Sequence, residues 1–214
     1  VVLAMRYGRP SISSAIEKLK SAGVDDVTVI PMFPQYASAT SGSVVARVLE
    51  LFGEERHPPR VRIVRPFFDD AAFIEASARR VREAVATSNA EHVLFSYHGL
   101  PVRQVARVCD RSGTCARGEG ACSIGPSNAD CYRAQCVATS AAIASAANLS
   151  RHSTTFQSRL KGTAWIAPFT DEAVKQLALD GVKRLAVACP SFVADCLETL
   201  EEIGMRAKET FLAA

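Results

Sequence analysis

Long apolar runs and blocks of like charge are both missing from this sequence of 214 residues. Apolar stretches such as residues 27–33 and 185–189 fall far short of the about 20 residues that a helix needs to cross a bilayer. The formal charge of +3 is spread over 25 basic and 22 acidic residues without a basic block. The first absence excludes a membrane-spanning protein, and the second argues against a nucleic-acid partner.

Two sequence signals are also missing. No Gly-x-Gly-x-x-Gly or P-loop string follows a predicted strand, which argues against a nucleotide-binding domain. No secretory signal precedes the first apolar stretch. Cysteine, by contrast, is plentiful: there are seven, an odd number, and five of them lie between Cys109 and Cys136. Such a cluster in a chain of this length indicates metal or redox chemistry rather than a disulfide framework, so we expect a reducing, cytoplasmic location.

The remaining composition, 48% hydrophobic and 22% charged, is that of a globular protein with material for one or two cores. Short segments rich in β-branched or aromatic residues predict strands at 27–33, 61–64, 93–97, 154–157 and 185–189. Apolar residues at three- and four-residue intervals predict helices at 12–22, 44–52, 71–88, 132–148 and 171–179. Alternating strands and helices predict an α/β fold with parallel sheets.

Sites in parallel sheets lie beyond the carboxyl ends of the strands, so the residues that follow each strand are the first candidates. The strand at 93–97 is followed by His98. The ordinary pKa of a histidine, about 6.5, suits proton transfer or metal binding. By position alone, a histidine that caps a loop is the ordinary interpretation. The strand at 185–189 leads into an acidic helix start, where spacing does not choose between Glu198 and Glu201.

Five segments in order over about two hundred residues carry a family resemblance. They are AMRYG at 4–8, PQY at 34–36 with TSGS at 40–43, FSYHGLP at 95–101, FQSR at 156–159 followed by Trp165 and PFTD at 168–171, and the element at 192–203. Together they resemble the ferrochelatases, and most closely the proteobacterial type. The resemblance implies an enzyme, a metal chelatase of the lyase class, that inserts Fe²⁺ into a porphyrin to give haem.

The family fold implied by this resemblance has two similar Rossmann-like lobes with parallel sheets flanked by helices. We expect residues 1–81 to be the remnant of the first lobe, and residues 82–214 to be the second lobe with a Cys-rich insertion at 108–131. A sheet of four or five strands is expected in the second lobe. Compared with the family pattern, the chain begins inside the first lobe and stops before the final helix. We therefore expect it to be truncated at both ends. Whether this polypeptide is active stays open.

The same resemblance implies roles for individual residues. His98 and Glu198 are the expected catalytic residues and the expected ligands of the substrate iron, and which of them is the base is left open. The expected porphyrin-binding residues are Arg6, Tyr7, Tyr36, Trp165 and Phe192. For the aromatic residues the alternative is an ordinary core position, and for Arg6 it is a solvated surface position. Protoporphyrin IX is favoured over coproporphyrin as the substrate.

The insertion after residues 98–101 replaces a short turn of the family pattern, with Tyr132 in place of the tyrosine of that turn. It carries Cys109, Cys115, Cys122 and Cys131 in a Gly-rich segment. Four thiolates can hold zinc or an iron-sulfur cluster. Some bacterial ferrochelatases carry a [2Fe-2S] cluster on internal cysteines, and the resemblance to them favours the cluster, with zinc as the minority alternative. Three cysteines are not expected to be ligands: Cys136, Cys189 and Cys196.

Two other functions stay open. One is a related chelatase that inserts cobalt or nickel, and the other is a non-enzymatic iron-sulfur or zinc sensor with a degenerate chelatase body. The expected partners are a porphyrin and ferrous iron, without nucleic acid and without a transmembrane segment. Loose association with a membrane surface, and the oligomeric state, are left open by the sequence.

Overall fold

The computed structural model describes residues 1–109 and 122–214. The chain divides into two compact units, Val1–Pro66 and Phe67–Ala214. Strands in both units pair in parallel and are flanked by helices, which confirms the predicted α/β class. The division between the units falls after residue 66, and the assignment of residues 1–81 and 82–214 to two lobes stays a prediction.

The first unit contains α1 (Ile12–Ser21), β1 (Asp26–Val29), an irregular turn (Ser38–Gly42), α2 (Ser43–Gly53) and β2 (Arg60–Ile63). The Ser11 side chain accepts a hydrogen bond from the Ser14 amide and so fixes the start of α1. β1 and β2 pair in parallel, with α2 in the crossover between them. The buried core of this unit joins both helices to β1 through Ile12, Ile16, Val27, Val48 and Phe52.

The second unit begins with α3 (Ala71–Ser88), β3 (His92–His98), α4 (Val102–Val105) and a 3-10 turn (Pro126–Asn128). It continues with α5 (Tyr132–Ala146), β4 (His152–Gln157), α6 (Thr170–Leu179), β5 (Leu185–Ala188), a π-helix (Glu198–Ala207) and α7 (Lys208–Ala213). In the described part of this unit the parallel sheet has three strands in the order β4-β3-β5, not the four or five expected. None of the helices in residues 1–109 and 122–214 is long and apolar enough to cross a membrane.

β3 is the central strand of this sheet, and residues 93–97 are buried on both of its faces. Leu94 points to the face covered by Val174 of α6 and Ala207 of the π-helix. Tyr97, three residues after Leu94, points to the opposite face, where its hydroxyl lies 2.9 Å from the Ser140 hydroxyl of α5. Both faces of the strand are therefore held by helices, which leaves its carboxyl end as the place where side chains can reach a ligand.

Candidate functional site

The carboxyl end of the second unit's sheet brings together three elements that are distant in sequence. His98 is the last residue of β3 and is the register partner of Gln157, the last residue of β4. The chain that follows β5 leads to the π-helix, whose first residue is Glu198. The side-chain amide of Gln157 donates to the main-chain oxygen of Glu198 over 2.9 Å. Gln157 therefore connects the two elements that carry His98 and Glu198.

The His98 imidazole is half-buried and oriented by its own loop. Its Nδ1 lies 2.7 Å from the Gly99 main-chain oxygen. A carbonyl oxygen only accepts hydrogen bonds, so Nδ1 carries the proton in the neutral ring and Nε2 carries the lone pair. A nitrogen in this state can accept a proton or bind a metal ion.

The main chain at Gly99 is packed too tightly for a side chain. Its amide donates to the Gln157 main-chain oxygen over 2.8 Å. A Cβ at this position would lie 2.8 Å from that oxygen and 3.2 Å from Cε3 of Trp165. Because the first contact is to backbone rather than to a flexible side-chain end, a larger residue would displace the loop that orients His98.

Replacing Gly99 with alanine should therefore lower the free energy of unfolding by about 1–3 kcal/mol through overpacking. The measurement is urea unfolding followed by circular dichroism. Gly53→Ala is the control, since a Cβ there meets no heavy atom within 4 Å, and it should be neutral or slightly stabilising. Equal stability of the two variants would contradict the tight packing at Gly99.

Glu202, one turn after Glu198 in the π-helix, is the carboxylate with the most hydrogen bonds at this edge. Its two oxygens accept from the Ser158 amide over 2.8 Å, from the Ser158 hydroxyl over 2.5 Å and from the Gln157 side chain over 3.1 Å. The Glu198 carboxylate, by contrast, has no hydrogen-bond partner within the described part of the chain. Sequence reasoning missed Glu202, although its spacing of four residues from Glu198 on an acidic helix start was a usable signal.

A buried polar network orients Gln157. Its side-chain oxygen accepts from the Ser96 hydroxyl over 2.7 Å. The Ser96 and Thr170 hydroxyls lie 2.8 Å apart, and the Thr170 and Thr155 hydroxyls 2.9 Å apart. All four side chains are almost completely buried. Since the oxygen of the amide is held by Ser96, its NH₂ group is directed at the π-helix.

Two of the expected porphyrin-binding residues lie in this unit, at different places. Trp165 is buried against Gly99, and its indole nitrogen has no hydrogen-bond partner among the described residues. Phe192 is half-buried and lines a groove of about 530 Å³ between α3 and β5, together with Phe73 and Val193. The structure therefore places Trp165 beside the His98 loop, whereas Phe192 lies on the groove at the β5 edge.

The other three expected porphyrin-binding residues lie in the first unit. The Arg6 side chain donates to the Ser43 hydroxyl over 2.8 Å and to the Ser43 main-chain oxygen over 3.1 Å. Its guanidinium carbon lies 4.6 Å from the centre of the Tyr7 ring, and Tyr7 itself is 76% exposed. Tyr36 is half-buried, with its hydroxyl beside Gly42. Arg6 is thus held by α2, and Tyr7 offers an open aromatic face.

Three of the four cysteines of the insertion lie in the described part of the chain. Cys109 and Cys131 are buried and Cys122 is partly buried. A hydrogen bond with Cys122, followed by burial, raises the pKa of the Cys131 thiol, and Cys109 is near enough to contribute as well. Cys115 lies outside the described residues, as does the rest of 110–121.

These thiols are the donor type that zinc and iron-sulfur centres use. Within residues 1–109 and 122–214, however, no three His, Cys, Asp or Glu side chains are arranged to hold a metal ion. The donor chemistry therefore fits a sulfur-ligated centre, while the described side chains do not complete one. Cys189 is remote from the insertion in sequence, and burial, then the charges of Cys196, Glu202 and Asp195, raises the pKa of its thiol to about 12.

Comparison with known proteins gives a consistent result over the whole chain. A family model described as Ferrochelatase matches residues 1–214. The chain is 44% identical over 217 residues to a ferrochelatase of Opitutus terrae, and 44% identical over 216 residues to one of Bdellovibrio bacteriovorus. It is 40% identical over 223 residues to one of Pseudomonas putida. These alignments cover 99–100% of this chain and 63–64% of each relative, so the chain spans just under two thirds of their length.

Proposed function

Because the chain belongs to the ferrochelatase family, we propose that the protein inserts Fe²⁺ into a porphyrin, with protoporphyrin IX as the substrate, and releases two protons. The observation that carries this proposal is the His98 imidazole at the sheet edge, in the same hydrogen-bonded assembly as the start of the π-helix. Within the described residues its Nε2 has no hydrogen-bond partner.

The chemistry of insertion needs few groups. A porphyrin holds two pyrrole N–H protons that must leave as the doubly charged metal enters. His98 accepts one of these protons or binds the iron through Nε2, and neutral imidazole is suited to either task. Glu198, whose carboxylate is free of hydrogen bonds to the described residues, attracts the cation or passes protons on. Glu202 adds a second negative charge one turn away, held in place by Ser158.

The macrocycle itself is flat and apolar, with two acidic propionates. The proposed porphyrin-binding aromatic residues are Tyr7 and Tyr36 of the first unit and Trp165 and Phe192 of the second. Arg6 pairs with a propionate, since its planar guanidinium matches a carboxylate. Ferrous iron and the porphyrin are the proposed partners, without nucleic acid, and the proposed location is the cytoplasm.

The choice of Glu198 is tested by a pair of substitutions on the same helix. Glu198→Gln should lower kcat for iron insertion by about 100-fold or more, because it removes the charge and the proton acceptor. Glu201→Gln is the matched control, since the Glu201 carboxylate pairs with Arg206 over 2.7 Å, and it should keep kcat within about twofold. The measurement is anaerobic haem formation by absorbance. Equal losses in both variants would contradict the assignment.

The same assay separates the rival functions. Fe²⁺ should be inserted in preference to Co²⁺ and Ni²⁺ when the metals compete for one porphyrin. A chelatase for cobalt or nickel would reverse that order. A sensor without enzymatic activity would insert none of the three metals at a rate above the uncatalysed one.

For the insertion we propose a [2Fe-2S] cluster held by Cys109, Cys115, Cys122 and Cys131, with zinc as the alternative. Support comes from the hydrogen bond between the Cys122 and Cys131 thiols and from the electrostatic influence of Cys109 on Cys131. When bound, such a cluster supplies a one-electron redox centre and a cross-link between distant parts of the segment.

A further inference from the structure

The main-chain oxygen of His98 has a partner that the sheet cannot provide. A trans peptide points its C=O and its N–H in opposite directions. The Gly99 amide points towards β4, where it donates to Gln157. The His98 carbonyl therefore points towards the side of β5, but β5 pairs with β3 only as far as Phe95.

Tyr132, the first residue of α5, takes the place of the missing strand. Its hydroxyl donates to the His98 main-chain oxygen over 2.9 Å, and its side chain is only 5% exposed. The peptide between His98 and Gly99 is thus held on both sides, by Tyr132 and by Gln157. The next carbonyl, that of Gly99, accepts the proton of His98 Nδ1. An anchored peptide keeps that carbonyl, and with it the imidazole, in one orientation.

Tyr132 is also joined directly to the thiol segment, which we define as residues 122–131 with Cys122 and Cys131. It follows Cys131, which is completely buried and whose amide donates to the Asn128 oxygen over 2.8 Å. The Gln135 side chain, one turn into α5, donates to the Ala129 oxygen over 2.6 Å. These bonds fasten the turn at 128–131 to the start of α5, so a displacement of Cys131 displaces Tyr132.

We propose that Tyr132 is a positioning residue that orients His98 through the His98 main-chain oxygen. Through the same contact, a displacement of Cys131 in the thiol segment is transmitted to His98. The proposal rests on the proposed role of His98. An ordinary core tyrosine would affect stability alone, whereas a positioning residue affects the rate of insertion and the order of the imidazole. Measurements of the insertion rate and of the order of the imidazole therefore separate the two roles, whereas stability alone does not.

Tyr132→Phe removes only the hydroxyl. In the full-length protein it should lower kcat for iron insertion about tenfold and leave KM for porphyrin within about twofold, because the catalytic group is misoriented while the binding surface is unchanged. The matched control is Tyr97→Phe, whose hydroxyl contacts Ser140 rather than His98. It should shift the urea midpoint by a similar amount and keep kcat within about twofold. A tenfold loss in both variants would overturn the positioning role.

A second readout does not depend on activity. In protein labelled with ¹⁵N-histidine, the chain's four histidines give ring signals, and His98→Ala identifies that of residue 98. The wild type should show a single Nδ1–H tautomer, and Tyr132→Phe should show the two ring nitrogens averaging towards each other. Unchanged His98 shifts in Tyr132→Phe would overturn the proposal even if the protein inserts no iron. A disordered His98 ring with an unchanged rate of iron insertion in Tyr132→Phe would instead count against the catalytic role of His98.

The link to the thiol segment is tested by a double-mutant cycle. Cys131→Ser should lower kcat and broaden the His98 signals in the wild-type background, and it should have little further effect in Tyr132→Phe. Equal fold-losses in the two backgrounds would show that Cys131 acts on the site by another route, and would overturn the transmission.

Discussion

Replacing His98 with alanine in the full-length protein should abolish iron insertion while porphyrin binding is largely retained. The change removes the Nε2 lone pair that accepts a proton or binds the metal, and such groups contribute about 10²–10⁴-fold to rate. It removes only a small part of the apolar surface that the macrocycle contacts. Insertion is followed anaerobically by haem absorbance, and binding by quenching of porphyrin fluorescence.

His92→Ala is the matched control for this prediction. His92 is the same residue type at the opposite end of β3, where its Nε2 lies 2.9 Å from the Ser153 hydroxyl. It is remote from the carboxyl edge, so insertion should proceed at close to the wild-type rate. Metallation at a normal rate by purified His98→Ala protein would refute the proposed role of His98.

The architecture of the chain was largely predictable because local patterns and tertiary packing agree. The helix predicted at 71–88 has those bounds in the structure, since Asp70 caps its start through two amides and Asn89 ends it with a φ of 50°. The strand predicted at 27–33 stops at Val29, where the ladder with β2 ends, and Pro31 soon after lacks an amide proton. The apolar run marked the strand, but the pairing decided its length.

Polar strands and irregular helices were harder to predict. β4 contains buried Thr155 and Gln157, whose polarity is compensated by Ser96 and Thr170 on other elements. That compensation is visible only once the chain is folded. The π-helix has the same amphipathic spacing as an α-helix in sequence, so neither its geometry nor the bonds from Ser158 to Glu202 could be foreseen.

The site was predictable in its residues but not in its connections. Strand ends and the family motifs point to His98 and Glu198. The contacts that fix them come from Gln157 and Tyr132, which lie 41 residues from Glu198 and 34 residues from His98 in sequence. No local pattern encodes such contacts, because they follow from strand register and from the direction of one peptide.

Anaerobically purified protein should be coloured, with about two irons and two labile sulfides per chain, if Cys109, Cys115, Cys122 and Cys131 hold a [2Fe-2S] cluster. Thiolate-to-iron charge transfer gives visible absorption, whereas zinc gives a colourless protein because its d shell is full. The measurements are the visible spectrum, iron and sulfide analysis, and zinc analysis of the same sample. Iron and sulfide that remain absent after anaerobic reconstitution would contradict the cluster.

Single serine substitutions then identify the ligands. Each change among the four insertion cysteines should destabilise the cluster, because an alcohol replaces a soft thiolate ligand. The sharpest control is Cys136→Ser. Cys136 is completely buried in α5, and it lies near enough to Cys122 that the charge of Cys122 contributes to raising the pKa of Cys136. This variant should keep the visible spectrum, as should Cys189→Ser and Cys196→Ser. Loss of the spectrum in Cys136→Ser alone would replace one of the four proposed ligands with Cys136, and would place the centre directly on the helix that begins with Tyr132.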